Sequence, residues 1–285
     1  MMAELPLALF TTLAPIGAGA FVALAVAFFT TKFSDEQLRK IDRMTAIPVV
    51  ALVAGFICAF FHLASPMHAF GVFAGVGASP LSNELLAGVV FAVLAIVYWI
   101  VALAGKLGEG ARKGFAVVVA VMAVVFACFT GAAYMMETIA SWNTPMVPVA
   151  VLGFSLLGGV SLGVLVLALS GALEDAAKGG FKMAALAVLV VGLVLGVAGL
   201  LVQVMSVSGM GNALVDGADL VAAASAPMWI GVVCMVVAAA AAFMALRNSK
   251  STALAAAAPV LAVVGVFAAR LAFYAVQLSV GLYIG

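Results

Sequence analysis

The chain has 285 residues, of which 67% are hydrophobic and only 8% charged, with a formal net charge of +1. A soluble domain carries roughly 25% charged residues, so this composition excludes an ordinary water-facing surface and requires one that faces lipid. The net charge by itself names no partner, and nothing in the sequence points to nucleic acid.

The first apolar run covers 7–30. The preceding Met1 to Pro6 contain Glu4 and no lysine or arginine. A cleavable signal peptide needs a basic segment there, so the run is expected to be a permanent helix. Seven more runs follow, at 46–63, 85–105, 114–136, 147–172, 183–207, 227–246 and 253–284. A spanning helix needs about 20 apolar residues, whereas a barrel strand needs only about 9–11. The expected fold is therefore all-α, a single transmembrane domain over 1–285 built as a bundle of eight helices. The eighth run is long enough to tilt or to project beyond the lipid.

The loops alternate in charge. Lys32, Arg39, Lys40 and Arg43 follow the first run, and Lys106, Arg112 and Lys113 the third. Lys178 and Lys182 follow the fifth, and Arg247 and Lys250 the seventh. These are all the lysines and arginines except Arg270, and the even loops hold none. The positive-inside rule then makes the odd loops cytoplasmic, with both termini outside, an N-out/C-out arrangement.

The even loops carry Gly, Ser and Pro with acidic groups and both histidines: His68 with His62 and Glu84 at the edges, then Glu137, then Asp216 and Asp219. Trp142 and Trp229 fall at the outer boundary and Trp99 towards the inner one, as an aromatic belt would place them. The small-residue pairs Gly159/Gly163 and Gly192/Gly196 lie in apolar runs and suit close helix packing.

Cys58, Cys128 and Cys234 are dispersed within apolar runs. A cluster needs several thiolates converging on one site, so no iron–sulfur centre is expected and the three read as structural thiols. His62 and His68 are six residues apart, about 120° around a continuous helix. They cannot oppose each other across one iron, and no haem is expected.

A charge inside the membrane costs about 2.5–3.5 kcal/mol at mid-helix on insertion scales, so Arg270 needs a reason. At ~1.5 Å per residue it lies roughly 24 Å up a core of about 30 Å, counted from Leu254. His62 reaches the same depth counted from Ala46. Glu84 opens the third helix in that layer, and Tyr274 lies one turn beyond Arg270 on the same face. Structural readings stand beside these. Glu84 complements a helix N-terminus capped by Ser82 or Asn83. Arg270 snorkels or forms a structural ion pair, His62 is an interfacial histidine, and His68 is a loop residue.

The stretch His62-Leu-Ala-Ser-Pro-Met-His-Ala-Phe70, followed by Val76-Gly-Ala-Ser-Pro-Leu-Ser-Asn-Glu84, resembles the membrane anchor subunit of dimethyl sulfoxide reductases. The pattern there is close to HLGSPxRAF, then VGxSxLSNE. Arg270-Leu-Ala-Phe-Tyr274 with Val280-Gly281 is a second match, and the length and helix number agree from end to end. The resemblance implies a multi-pass subunit of the bacterial inner (cytoplasmic) membrane with no redox centre of its own. Such a subunit oxidises menaquinol and passes electrons to an iron–sulfur subunit, which feeds a molybdopterin catalytic subunit. It assigns quinol binding to His62, and the candidate site is His62, Ser65, Pro66, Glu84, Arg270 and Tyr274, with His62 and Glu84 as the proton-handling pair. His68 stands where relatives often have Arg, and Gln277 where some have His.

The chemistry of the residues agrees with that implication. Quinol oxidation releases two protons and two electrons. It needs an apolar slot and a base that titrates near neutrality, which histidine supplies. Glu84 is expected to orient the imidazole and relay the proton, with Arg270 holding Glu84 ionised or bonding a quinone oxygen. Electrons leave to a partner docked on the outer face. Two alternatives stand: a secondary transporter, whose sites sit near mid-membrane between repeats, and the quinol subunit of a polysulfide reductase-type complex.

Overall fold

The structure is a computed structural model that describes residues 4–62 and 66–280. In order along the sequence the elements are α1 (Leu5–Thr30), α2 (Asp35–Met44), α3 (Ala46–His62), a 3₁₀ segment (Pro66–Gly75), α4 (Pro80–Leu103), α5 (Glu109–Ala132) and α6 (Met146–Leu169). Then follow α7 (Leu173–Lys178), α8 (Phe181–Ser206), a 3₁₀ turn (Val207–Gly209), α9 (Gly217–Arg247) and α10 (Thr252–Ala275). Eight of these helices are long and apolar enough to cross a membrane, with α2 running almost directly into α3. The described residues form no strand, only two isolated bridges, Ile139 with Ser279 and Gly211 with Asp216.

Helices α1 and α6 form the centre, and both are buried over most of their length. Their contact depends on glycine. A Cβ on Gly19 would stand 1.9 Å from the Ser155 carbonyl oxygen, and one on Gly159 would stand 2.1 Å from the Gly19 backbone. The two backbones therefore touch, and dispersion between them replaces side-chain interdigitation. On the other flank of α6, a Cβ on Gly153 would lie 2.1 Å from the Gly196 nitrogen of α8. The small-residue pairs of the sequence thus serve contacts within the bundle. Around this centre α3 and α5 pack on α1, α8 and α10 pack on α6, and α9 pairs with α10. The consecutive helices α3 and α4 lean on different neighbours, α1 and α5, and meet each other little.

The cation-rich end is pinned by a buried ion pair. Both terminal nitrogens of Arg112 (α5) bond the Asp42 carboxylate (α2), the second at 2.9 Å. The Trp99 indole donates to the Asp42 carbonyl at 2.9 Å, and the guanidinium lies 5.4 Å from the centre of the Phe28 ring. Segment 35–44, part of the first cation-rich loop by hydropathy, is thus a helix. Ser34 and Gln37 form its capping box, and Ile41 and Asp42 are its buried residues.

Three further sequence expectations are corrected. The last helix stops at Ala275 instead of continuing to 284. Beyond it the backbone pairs with the loop after α5: the Leu278 amide donates to the Ser141 hydroxyl at 2.8 Å and the Val280 amide to the Thr138 carbonyl at 3.1 Å. Trp142 stays at the end of the bundle where α10 stops but faces inward instead of lipid, 6% exposed, because its ring stacks on Phe273 at 4.9 Å and its indole donates to the Phe273 carbonyl at 3.1 Å. Helix α4 begins at Pro80 and is capped by Ser79, not by Ser82 or Asn83. Proline fits the first helical turn, where its missing N–H costs nothing. Asn83 instead accepts from the Gly77 amide at 2.7 Å.

Candidate functional site

Arg270 is 1% exposed, a cation enclosed by the bundle. Its Nε donates to Thr11 Oγ1 of α1 at 2.8 Å, and a terminal nitrogen donates to the Tyr274 hydroxyl at 3.1 Å. Thr11 accepts freely because its own proton goes to the Leu7 carbonyl at 2.9 Å. The Tyr274 hydroxyl lies 2.6 Å from that of Tyr134, at the end of α5. The guanidinium also lies over three rings, Phe273 at 4.1 Å, Tyr134 at 4.8 Å and Tyr274 at 5.0 Å. Cation–π attraction rises to about 2 kcal/mol when desolvated, so these rings replace part of the lost hydration. Among the described residues no carboxylate comes within ion-pair distance of Arg270. Beside it, Gln203 and Phe154 close a cavity of about 10 Å³, roughly the space of one water.

Glu84 stands in the second turn of α4, 6% exposed. Its Oε1 has no hydrogen-bond partner among the described residues, and neither has the buried hydroxyl of Thr130 on α5. One turn inward from Glu84 is Gly88, where a Cβ would meet Phe56 at 2.8 Å and Phe126 at 3.0 Å. Phe126 is one turn inward from Thr130. The two unpartnered groups therefore crown the same aromatic stack. Phe126 stacks on Phe91 at 5.7 Å and on Phe56 at 5.8 Å, and Phe10 tilts against Phe56 at 5.5 Å. Thr130 continues this column of α5, and Tyr134, two residues beyond the end of the helix at Ala132, lies against Arg270. Glu84 is near enough to feel the Arg270 charge.

The sequence-predicted residues separate as follows. Arg270 and Tyr274 are bonded to each other, and Glu84 shares their neighbourhood. His62 is the last residue of α3 and is exposed. It lies seven residues beyond Gly55, hence on the same helical face, and Gly55 packs against Ala14 of α1. Among the described residues no hydrogen bond or ion pair joins His62 to Glu84 or Arg270. Ser65 lies outside the described residues, and Pro66 opens the 3₁₀ segment that also contains His68. Thr11, Thr130 and Tyr134 are not evident from sequence. Thr130 and Tyr134 sit at the same end of the fourth run, and depth counting of hydroxyls was the available signal.

On the lipid side of the stack, α3 and α4 enclose an apolar groove of about 460 Å³. Phe56, Phe60 and Phe61 line one wall, and Val89, Ala92 and Val93 the other.

The family model described as "DMSO reductase anchor subunit (DmsC)" matches residues 1–276. The protein belongs to this family of membrane anchor subunits. It is 32% identical over 169 residues to the C chain of anaerobic dimethyl sulfoxide reductase from Escherichia coli (strain K12), an alignment covering 59% of each. It is 30% identical over 159 residues to the C chain of the same enzyme from Haemophilus influenzae (strain ATCC 51907 / DSM 11121 / KW20 / Rd), covering 56% of this sequence and 57% of that one. A third relative, the YnfH chain of anaerobic dimethyl sulfoxide reductase from E. coli (strain K12), is 30% identical over 164 residues. The aligned stretches thus span somewhat more than half the length of these curated relatives. Family membership and the eight apolar helices make this a multi-pass membrane anchor. The membership decides against the transporter alternative.

Proposed function

We propose that the protein binds menaquinol from the bilayer, oxidises it, and passes two electrons to an iron–sulfur subunit that feeds a molybdopterin catalytic subunit, in a dimethyl sulfoxide reductase-type complex of the bacterial inner membrane. One observation carries this reading. Two buried polar groups, Glu84 Oε1 and the Thr130 hydroxyl, face each other on top of an aromatic stack without closing a hydrogen bond of normal length and angle, and neither has another partner among the described residues. Leaving such groups unpaired costs about 1–3 kcal/mol each. A quinol hydroxyl has the matching chemistry, since it donates to Glu84 and accepts from Thr130. The Phe10, Phe56 and Phe126 rings suit a flat aromatic ring.

In this mechanism Glu84 takes the proton of the hydroxyl it holds. The proton of the second hydroxyl passes to His62, exposed at the end of α3, which delivers it to water from the edge of the site and not from within the Arg270 cluster. The Arg270 charge, unbalanced by a contacting carboxylate, stabilises negative charge developing on the quinol oxygen. Quinol becomes quinone with loss of two protons and two electrons, and the electrons leave to the partner. The partner docks on the end of the bundle that carries this layer, which is the outer face if the cation-rich loops are cytoplasmic. The terminal acceptor is chosen by the catalytic partner's pocket.

The test uses the assembled complex with two donors, a menaquinol analogue and a soluble dye that reduces the catalytic subunits directly. Glu84→Gln and His62→Ala are expected to lower quinol-dependent turnover by about 10²-fold or more, the usual worth of positioned acid–base catalysis, and to leave dye-dependent turnover intact. Full quinol activity, or loss of both activities with the subunits still bound, would overturn the assignment.

A further inference from the structure

We infer that the groove between α3 and α4 is the seat of the quinol's isoprenoid tail, and that the Phe56 ring is the gate between this groove and the Glu84–Thr130 position. This rests on the quinol reading above and specifies how the substrate reaches the site from the lipid.

Most of the bundle surface is apolar, as lipid contact requires, so exposure alone means nothing here. The groove is concave. Its volume of about 460 Å³ falls within the roughly 300–1,000 Å³ of small-molecule sites. It runs from Leu52 to Phe61 along α3, about 14 Å at ~1.5 Å per residue, which accommodates several isoprene units. Every residue lining it is hydrophobic, so it offers nothing to a polar head and suits a hydrocarbon tail.

Continuity with the polar site selects the occupant. Phe56 belongs to both regions: it lines the groove, and it stacks on Phe126 at 5.8 Å under Thr130. Its ring lies against Gly88, where a Cβ would approach it to 2.8 Å, so glycine at 88 is what lets this ring sit between the groove and the stack. On α4 the faces divide in the same way. Glu84 and Gly88 face the stack, while Val89, Ala92 and Val93 face the groove. A ring bonded to Glu84 and Thr130 therefore has its tail directed past Phe56 into this groove. The small direct contact between α3 and α4 lets the two walls part without breaking a packed interface, and Phe56 is only partly buried. A lipid acyl group in the same groove is the competing occupant.

The experiment compares Ala92→Trp with the unaltered protein in assembled complex reconstituted in vesicles. Donors are a long-tailed menaquinol, a tail-less analogue of the same ring, and the soluble dye. Ala92 lies two helical turns inward from Glu84, so the tryptophan fills the groove without touching the proposed head position. KM for the long-tailed quinol should rise about tenfold at unchanged kcat, the signature of lost uniform binding. The tail-less analogue and the dye should be unaffected. Equal effects on both quinols, or none, would overturn the tail seat. Glu84→Gln in the same preparation separates the two ideas. It should lower turnover with both quinols alike, by about 10²-fold or more. If it does so while Ala92→Trp leaves the tail preference unchanged, only the groove assignment fails. If it spares both, the site itself is wrong. Should the tryptophan variant fail to assemble, a long-tailed quinone carrying a photoreactive group at mid-tail is cross-linked to the unaltered complex. Labelling of 52–61 or 89–96 supports the seat, and labelling confined to other helices overturns it.

Discussion

The hydroxyl of Thr130 faces Glu84 without closing a hydrogen bond of normal geometry, which makes it the most discriminating single atom of the site. Thr130→Val keeps the volume and removes the donor. Quinol-dependent turnover is expected to fall about tenfold, the worth of one hydrogen bond near 1.4 kcal/mol, with dye-dependent turnover unchanged; a wild-type quinol rate would remove Thr130 from the site. Asp42 at the other end has the opposite character. Asp42→Ala leaves Arg112 charged, buried and unpaired, which costs about 3–5 kcal/mol. Adding Arg112→Met should recover much of that loss in a thermal unfolding series in detergent. Equal stability of the single and double variants would show that the pair is uncoupled. At this scale the sequence was informative where a residue was rare. Arg270 announced itself as the one cation inside an apolar run, Tyr274 as its neighbour at four residues, and Glu84 as a carboxylate at a helix start. Thr11 and Tyr134, which hold Arg270, and Thr130, which faces Glu84, come from α1, the turn after α5 and α5 itself. Lateral neighbours depend on packing angles that a one-dimensional period does not encode, and a threonine in an apolar helix looks ordinary.

At the scale of elements the bundle is set by backbone contact at glycines, so a single methyl should be felt unequally along it. Gly153→Ala drives a Cβ into α8 and is expected to cost about 1–3 kcal/mol, as overpacking does. Gly114→Ala meets no atom within 4 Å and should gain up to about 1 kcal/mol from helix propensity. Similar unfolding midpoints for the two variants would contradict the tight α6–α8 contact. The eight spans were readable because lipid demands long apolar runs and internally satisfied backbones. Their ends were less so. Residues 276–280 are apolar enough to prolong the last run, yet their amides and carbonyls are taken by Ser141, Thr138 and Asn212. Helix α2 is hidden from hydropathy, which discards charged segments, although Ser34 and Gln37 at the capping-box spacing were there to be read.

For the whole molecule, the distribution of lysine and arginine predicts that the Arg270 end faces outward. A membrane-impermeant thiol reagent should label Ala213→Cys in intact cells, and label Asn248→Cys only after the membrane is opened; the reverse pattern would invert the topology and move the proposed docking face. The bond from Arg270 to Thr11 joins residues 259 positions apart, linking the last helix to the first. Ribosomes add about 5–20 residues per second, so Thr11 waits in the membrane for roughly ten to fifty seconds before its guanidinium arrives. During that interval the central helix α1 is present but the polar layer is not. A nascent polypeptide stopped before α10 holds most of its glycine contacts and none of its buried outer-layer cation. Insertion of α10, not of the seven helices before it, is the event that brings the buried cation to its partner.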